Sequence, residues 1–364
     1  MIILNYVLKF TTNRKILFAC FFIFMQNLYC IGQPTPSTHA VHWSSLPNLP
    51  DAEGFASPFA GVAGGALLVA GGANFPNKRP WDGGHKVWYD TIYALTRPEG
   101  TWSIAGQLPR STAYGVSVNF GDKLICVGGG NAKEHFRDVY ALNWNGKVIS
   151  YQALPPLPRT CAFMSGAVAG NTLFILGGKE HPGSIEALKT FWSLDLVTIG
   201  AQWCELEPCP GPGREQAVMA TIDNTIYVIS GVSLVAVKDG KADLNYLRDA
   251  YAYTRTQGWR RLADPPRATA GALSPAPIDR RGRVIIISGD DGTKRHLDGP
   301  HHPGFPLDIF AYDPQSNRWG NIGEAPFSMA DVPSTFWRGD WVAVSGEIRP
   351  GYRTNRVWSL HFSN

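Results

Sequence analysis

Ala66–Leu67–Leu68–Val69–Ala70–Gly71–Gly72 is an apolar run that closes on two glycines. The same figure returns as Lys123–Leu124–Ile125–Cys126–Val127–Gly128–Gly129 and Thr172–Leu173–Phe174–Ile175–Leu176–Gly177–Gly178. It appears again as Thr225–Ile226–Tyr227–Val228–Ile229–Ser230–Gly231, Val284–Ile285–Ile286–Ile287–Ser288–Gly289 and Trp341–Val342–Ala343–Val344–Ser345–Gly346. The small pairs begin at 71, 128, 177, 230, 288 and 345, so one unit recurs every 49 to 58 residues along the chain. A period of that length marks stacked supersecondary units, none of which can bury its own apolar surface alone.

Each unit carries further parts. An arginine precedes four of the pairs, at Arg110, Arg159, Arg214 and Arg267. An aromatic strand follows, as in Asp90–Leu95, Asp138–Leu142, Asp249–Tyr253 and Asp308–Tyr312. A last strand brings Trp102, Tyr151, Trp203, Trp259 or Trp319. Four short strands per unit make one blade of a β-propeller, and six small pairs make six blades. The small pair lets the backbone turn tightly near the axis. The outer aromatic fills the wider gap between blades far from it. The final unit, Asn355–Leu360, ends without an outer aromatic strand, and Val41–Leu46 with Trp43 supplies one. The expected fold is therefore all-β, a six-bladed propeller whose ring is closed by the N-terminal strand completing the last blade, which leaves no free sheet edge at the termini.

Composition agrees. Hydrophobic residues make up 44% of the 364 and aromatics 12%, too rich for disorder. The 39 Gly and 27 Pro follow no G-X-Y period, which excludes collagen, and 17% charged residues is too few for a coiled coil. The net charge of +4 points at first to nucleic acid. Three of the basic residues, Lys9, Arg14 and Lys15, fall in a stretch 1–30 that has no acidic residue, so the remainder nets only +1 and no nucleic-acid partner is expected. In that stretch Arg14–Lys15 precede the apolar run Ile16–Met25, too short to span a bilayer and of the length of a secretory signal. The expected organisation is a signal peptide over 1–30, a short linker over 31–40 and one propeller over 41–364. The mature protein is then periplasmic or secreted, with Cys30 as an alternative lipid-anchor site and no stable membrane span. Four cysteines follow the leader. Cys126 and Cys161 lie in apolar strands and read as core, while Cys204 and Cys209 are close enough to bridge in an oxidising compartment. No C-x-x-C or Cys/His cluster suggests a metal.

Propeller sites form on loops near the axis, and the residue after each small pair reports on one ring of such loops. These residues are Ala73, Gly130, Lys179, Val232, Asp290 and Glu347. Position alone makes Glu347 a candidate, with a solvated loop carboxylate as the plain alternative. The repeated arginines read first as structural pairs between blades or with loop carbonyls.

The repeat resembles the kelch family of propellers over roughly residues 41–362. Four stretches narrow this further. Gly346–Glu347–Ile348–Arg349–Pro350–Gly351–Tyr352–Arg353–Thr354, Gly71–Gly72–Ala73–Asn74–Phe75, Ala113–Tyr114–Gly115–Val116–Ser117 and Gly213–Arg214–Glu215–Gln216–Ala217 resemble the N-acetylneuraminate epimerase (sialic acid mutarotase) family. In that family the first stretch lies mid-chain with the second after it. Here the order around the ring is kept but the chain starts at another blade, as in a circularly permuted branch. The resemblance implies an isomerase that interconverts the α- and β-anomers of N-acetylneuraminate, a small sugar acid, without cofactor or metal. It implies Glu347 and Arg353 as catalytic residues, and Arg353, Arg214 and Asn74 as substrate contacts. A non-catalytic glycan- or protein-binding propeller is the alternative, and a copper oxidase of the galactose oxidase type fits less well because the cysteines sit in strands or an outer segment.

Overall fold

The computed structural model describes residues 41–363 apart from Asp298. The leader and linker expected over 1–40 lie outside the described residues.

Blade 1 is the sheet Phe59–Ala63, Ala66–Ala70, Thr91–Leu95 and Ser103–Gln107, ordered from the axis outward. Blade 2 follows with Val116–Phe120, Lys123–Val127, Val139–Trp144 and Ile149–Ala153. Blade 3 is Ser165–Ala169, Thr172–Leu176, Phe191–Asp195 and Cys204–Glu205, and blade 4 is Val218–Ile222, Thr225–Ile229, Ala250–Thr254 and Gly258–Arg261. Blade 6 is Ser334–Trp337, Asp340–Val344 and Val357–Phe362, with Val41–Leu46 paired outside them from Val41↔Phe362 to Leu46↔Val357.

Blade 5 departs from the four-strand expectation. Its sheet holds Val284–Ile287, Asp308–Asp313 and Arg318–Glu324 only. The innermost place is taken by Leu273–Ser274–Pro275–Ala276–Pro277–Ile278, where two prolines lack the N–H a ladder needs. That segment still seats itself, through Ile285 N–H to the Pro277 carbonyl at 2.8 Å and Ala276 N–H to the Met219 carbonyl of blade 4 at 2.7 Å.

The second strand of each blade is buried on both faces and so reads as an unbroken apolar run; Leu67, Leu68 and Val69 are fully buried. The core lies between blades. Leu68 and Ile92 of blade 1 pack with Leu124 and Leu142 of blade 2, and Val344 and Val357 of blade 6 pack with Leu67 and Val69 of blade 1. Cys126 and Cys161 are buried, as expected. Cys204 and Cys209 are not bridged: Cys204 is exposed, whereas Cys209 is buried in the cluster with Met219 and Tyr251.

Both members of every small pair lie at positive φ. At Gly177 (φ +67°) an added Cβ would sit 2.1 Å from the Arg214 carbonyl oxygen, so glycine is required there. In blades 4 to 6 a serine takes the first place, and its hydroxyl earns a role. Ser230, Ser288 and Ser345 Oγ accept the backbone N–H of Thr269, Met329 and Phe55 in the next blade, at 2.7, 2.9 and 2.7 Å. In blades 1 to 5 the outer aromatic ties its blade to the one before it. Trp102, Trp203, Trp259 and Trp319 each donate Nε1–H at 2.8 Å, to the carbonyls of Pro47, Pro155, Glu207 and Ala263. Tyr151 does the same through its hydroxyl to Gln107.

At the axis, one residue from the entry to each innermost strand forms a second ring. Ser57, Tyr114, Phe163, Gln216, Gly271 and Asp331 all lie between φ +44° and +64°. Each donates its N–H to the carbonyl of the one before: Tyr114 to Ser57 (3.1 Å), Phe163 to Tyr114 (2.8 Å), Gln216 to Phe163 (2.8 Å), Gly271 to Gln216 (2.9 Å) and Asp331 to Gly271 (2.7 Å). Ser57 N–H donates to Asp331 at 2.9 Å and completes the circle.

Candidate active site at the axial ring

The six residues after the small pairs are anchored to that ring. Ala73, Gly130, Lys179, Val232, Asp290 and Glu347 bridge Ala56, Ala113, Ala162, Glu215, Ala270 and Ala330, each of which immediately precedes a ring residue. The loops picked out by counting along the sequence therefore do converge on the axis. A cavity of about 80 Å³ opens within the ring, lined among others by Tyr114, Phe163, Gln216 and Asp331.

Glu347 and Arg353 are cross-strand partners in a hairpin, Glu347–Arg349 against Tyr352–Arg353. Pro350–Gly351 makes its turn, with Pro presetting φ and Gly351 at φ +81°. Directly opposed side chains in such a hairpin meet. Arg353 Nη1 donates to Glu347 Oε1 at 2.6 Å, and Gly351 N–H donates to the same oxygen at 2.8 Å. Oε2 has no hydrogen-bond partner among the described residues. The Arg353 side chain is only 3% exposed and lies over the Phe75 ring at 4.9 Å. Its Nε is buried without a partner. Burial opposes its charge, but Glu347, Tyr114 and Asp331 outweigh burial and raise its pKa. Within the hairpin Arg349 lies 3.9 Å from the Tyr352 ring, and Arg79, from outside it, lies 4.5 Å from the same ring and pairs with Glu53 at 2.7 Å.

An aromatic and cationic wall adjoins the hairpin. Tyr114 and Phe163 stack at 4.3 Å. Lys86 Nζ donates to the Tyr114 hydroxyl at 2.8 Å and sits over the Tyr114 and Phe75 rings at 5.0 and 5.7 Å. Lys179 Nζ lies over Phe163 at 4.6 Å and 3.5 Å from Glu215. Burial raises the Glu215 pKa against the pull of Lys179. His135 donates Nδ1–H to the Lys179 carbonyl at 2.9 Å. Burial pushes its pKa down to about 4, opposed by that hydrogen bond and helped by the Lys179 charge.

Two of the expected substrate contacts, Arg214 and Asn74, are buried and bonded within the protein. Arg214 is 1% exposed. Its Nη1 and Nη2 grip Asp249 at 2.7 and 2.9 Å and also donate to the carbonyls of Ser230 and Pro210. It holds blade 4 together and has no donor to spare on its guanidinium tips. Asn74 is fully buried. Its amide donates to Asp51 and Gly54, and its oxygen accepts from Tyr89. The other repeated arginines pair as expected of structural residues, Arg110 with Asp138, Arg159 with Glu180 and Arg267 with Asp308. Asp290, which follows the small pair of blade 5, accepts from the Tyr246 hydroxyl at 2.6 Å. No cluster of three or more His, Cys, Asp or Glu that could hold a metal ion occurs among the described residues.

Sequence reasoning did not select Asp331, Lys86 or Phe163. A signal for the ring residues was present: in five of six repeats an alanine precedes the ring residue, at 56, 113, 162, 270 and 330.

A family model, the KLHDC2/KLHL20/DRC7 Kelch-repeats domain, matches residues 116–348. The chain belongs to the kelch-repeat family. A second model, N-acetylneuraminate epimerase, matches residues 31–151 of this kelch-family chain. Among curated relatives, the N-acetylneuraminate epimerase of Haemophilus influenzae (strain 86-028NP) is 31% identical over 229 residues, covering 56% of this chain and 58% of that protein. The Yersinia enterocolitica protein of the same name is 27% identical, covering 56% of each chain, and that of Brucella suis is 37% identical over 129 residues. The chain thus spans about half the length of the curated relatives it matches. The solved structure of YjhT superposes with a TM-score of 0.64 at 17% identity, covering 88% of this chain and 100% of that one, which concerns the fold.

Proposed function

We propose that this kelch propeller is an N-acetylneuraminate epimerase, a mutarotase that interconverts the α- and β-anomers of the sugar acid by opening and reclosing its ring. The observation that carries the reading is the Glu347–Arg353 pair, a charge-assisted contact of 2.6 Å on a hairpin anchored to the axial ring. A purely structural propeller has no use for an acid paired with a buried arginine on a hairpin bridged to the axial ring. Relatives of that name at 27–37% identity support it.

Mutarotation needs a proton removed from the anomeric hydroxyl and one delivered to the ring oxygen. Glu347 Oε2, free of hydrogen bonds, is the base, and such a group supplies about 10²–10⁴-fold. Arg353 orients Glu347 and, with Lys86, offers positive charge to the substrate carboxylate. The rings of Tyr114 and Phe163 give an apolar surface for the sugar. Circular permutation belongs to the same proposal. A permuted order leaves only part of the ring in colinear register with relatives, which fits matches confined to about half of each chain. Export to the periplasm or medium also belongs to it, supported by the basic and apolar character of residues 1–30.

The test is proton NMR of α-N-acetylneuraminate freshly released by a sialidase. Purified protein hastens the β-anomer signal, and Glu347→Gln abolishes most of the gain. Binding without acceleration identifies a non-catalytic glycan-binding propeller and overturns the reading.

A further inference from the structure

Ring opening is easiest when one group takes a proton while another gives one, so a single carboxylate leaves half of the reaction to water. The structure places a second carboxyl at the right address. Ala330 and Glu347 exchange both backbone hydrogen bonds, at 2.8 and 2.7 Å. Asp331 is the next residue, the blade 6 member of the axial ring, and it is among the residues that line the cavity. Of the six blades, only blade 6 has an acid both on the ring and after the small pair. The neighbouring ring position is Gly271, where an added Cβ would lie 3.1 Å from Asp331 Oδ1, so a glycine there leaves that oxygen room.

We propose that Asp331 is a second catalytic carboxyl, the acid that works opposite Glu347. The inference rests on the mutarotase reading and goes one step past it. The two carboxyls have different company. Glu347 is ion-paired to Arg353 at 2.6 Å. Asp331 takes one hydrogen bond, from the neutral Gln216 amide at 2.7 Å, and makes no ion pair among the described residues. The charged and titratable groups facing it are Glu347 and Arg353 from the blade 6 hairpin and Lys86 from blade 1. Gly271 of blade 5 contributes none. Burial and the Glu347 charge push the Asp331 pKa up to about 7, against the pull of Gln216, Arg353 and Lys86. The ion-paired Glu347 and the singly hydrogen-bonded Asp331 are thus held in different surroundings, which suits a division of the base and acid roles between two carboxyls.

The step balances. Glu347 carboxylate takes the proton of the anomeric hydroxyl, and the C–O bond of that hydroxyl becomes the keto carbonyl. The bond from the anomeric carbon to the ring oxygen breaks, its electron pair stays on oxygen, and that oxygen takes the Asp331 proton. Rotation about the bond to the keto carbon presents its other face. Reclosure reverses both transfers and restores the starting protonation.

The anomer assay, run from pH 5.5 to 8.5 with the uncatalysed rate subtracted at each pH, tests this. Wild-type activity falls through a basic limb near pH 7 as Asp331 loses its proton. Asp331→Asn lowers kcat by about 10²-fold, changes KM little, and leaves residual activity without that limb. Gln216→Met removes a hydrogen bond that favours ionised Asp331, so the limb moves to higher pH. The limb shift decides the matter even if Asp331→Asn fails to fold. Full activity in Asp331→Asn overturns the proposal, as does an unchanged limb in Asp331→Asn or in Gln216→Met. Absence of acceleration by the wild type is a separate result and sinks the mutarotase reading itself.

Discussion

Replacing Arg214 with methionine separates a structural arginine from a substrate-binding one. Arg214 is 1% exposed and the Asp249 side chain 13%, and two hydrogen bonds of 2.7 and 2.9 Å join them. Removing only the arginine strands a buried carboxylate, which costs about 3–5 kcal/mol. Arg214→Met/Asp249→Leu removes both charges and recovers most of that loss. The recovery is incomplete, because the Ser230 and Pro210 carbonyls each lose a donor, a residual of about 1–2 kcal/mol. Urea denaturation followed by tryptophan fluorescence reads the result. With a slope of about 3 kcal/mol per molar for a domain of this size, the midpoint of the single variant falls by about 1–1.7 M, and the double variant lies between it and wild type. Saturating N-acetylneuraminate leaves this order unchanged. A single variant with the wild-type midpoint and a raised KM would refute the reasoning and return Arg214 to the substrate.

Gly177→Ala drives a Cβ to 2.1 Å from the Arg214 carbonyl at φ +67°, and soluble yield falls to near zero because backbone cannot yield as a flexible side chain would. Ser345→Ala strips the Phe55 N–H of its acceptor and the Thr354 carbonyl of its donor; the loss is about 2–3 kcal/mol by urea denaturation. Trp259→Phe keeps the ring but drops the bond to the Glu207 carbonyl, and the same assay shows a loss of about 1 kcal/mol or less. His135 has a folded pKa below its unfolded one, so the unfolded chain binds the extra proton. Stability is therefore full above about pH 6.5 and falls as pH drops toward 4, and His135→Gln shallows the thermal-midpoint slope in that window.

The fold was legible because the second strand of each blade is buried on both faces and ends where only small residues fit. Those two demands write the apolar run and the small pair directly into the sequence. Blade 5 escaped because Pro275 and Pro277 disable a ladder without disturbing the apolar run of Val284–Ile287 behind it. Glu347 is read as a candidate from its position, and Arg353 from likeness of a motif. Arg214 and Asn74 show what such a likeness leaves open. A shared stretch shows that a loop is alike but not which way a side chain points, and both turn inward to partners far along the chain, Asp249 and Asp51. Asp331 was missed because the ring position carries Ser, Tyr, Phe, Gln, Gly and Asp in turn. Positive φ at non-glycine residues is imposed there by the hydrogen-bonded circle, not by residue type.

That variability is what gives a symmetric scaffold one site. Six backbone hydrogen bonds place six residues around one cavity, whatever those residues are. The ring fixes where chemistry can occur, since its bonds use main-chain groups and leave every side chain free to differ. The residue types then break the symmetry: aromatic at Tyr114 and Phe163, an amide at Gln216, nothing at Gly271, and acid at Asp331 beside Glu347. Exchanging the ring residues of two blades thus perturbs function more than fold. Ser57→Asp with Asp331→Ser keeps the composition and the backbone circle, but moves the carboxyl from the blade of Glu347 to the blade of Ala73. Normal folding, measured by the urea midpoint, with loss of anomer exchange is the expected pair of results. Retained exchange would mean that the ring carboxyl does not work with Glu347.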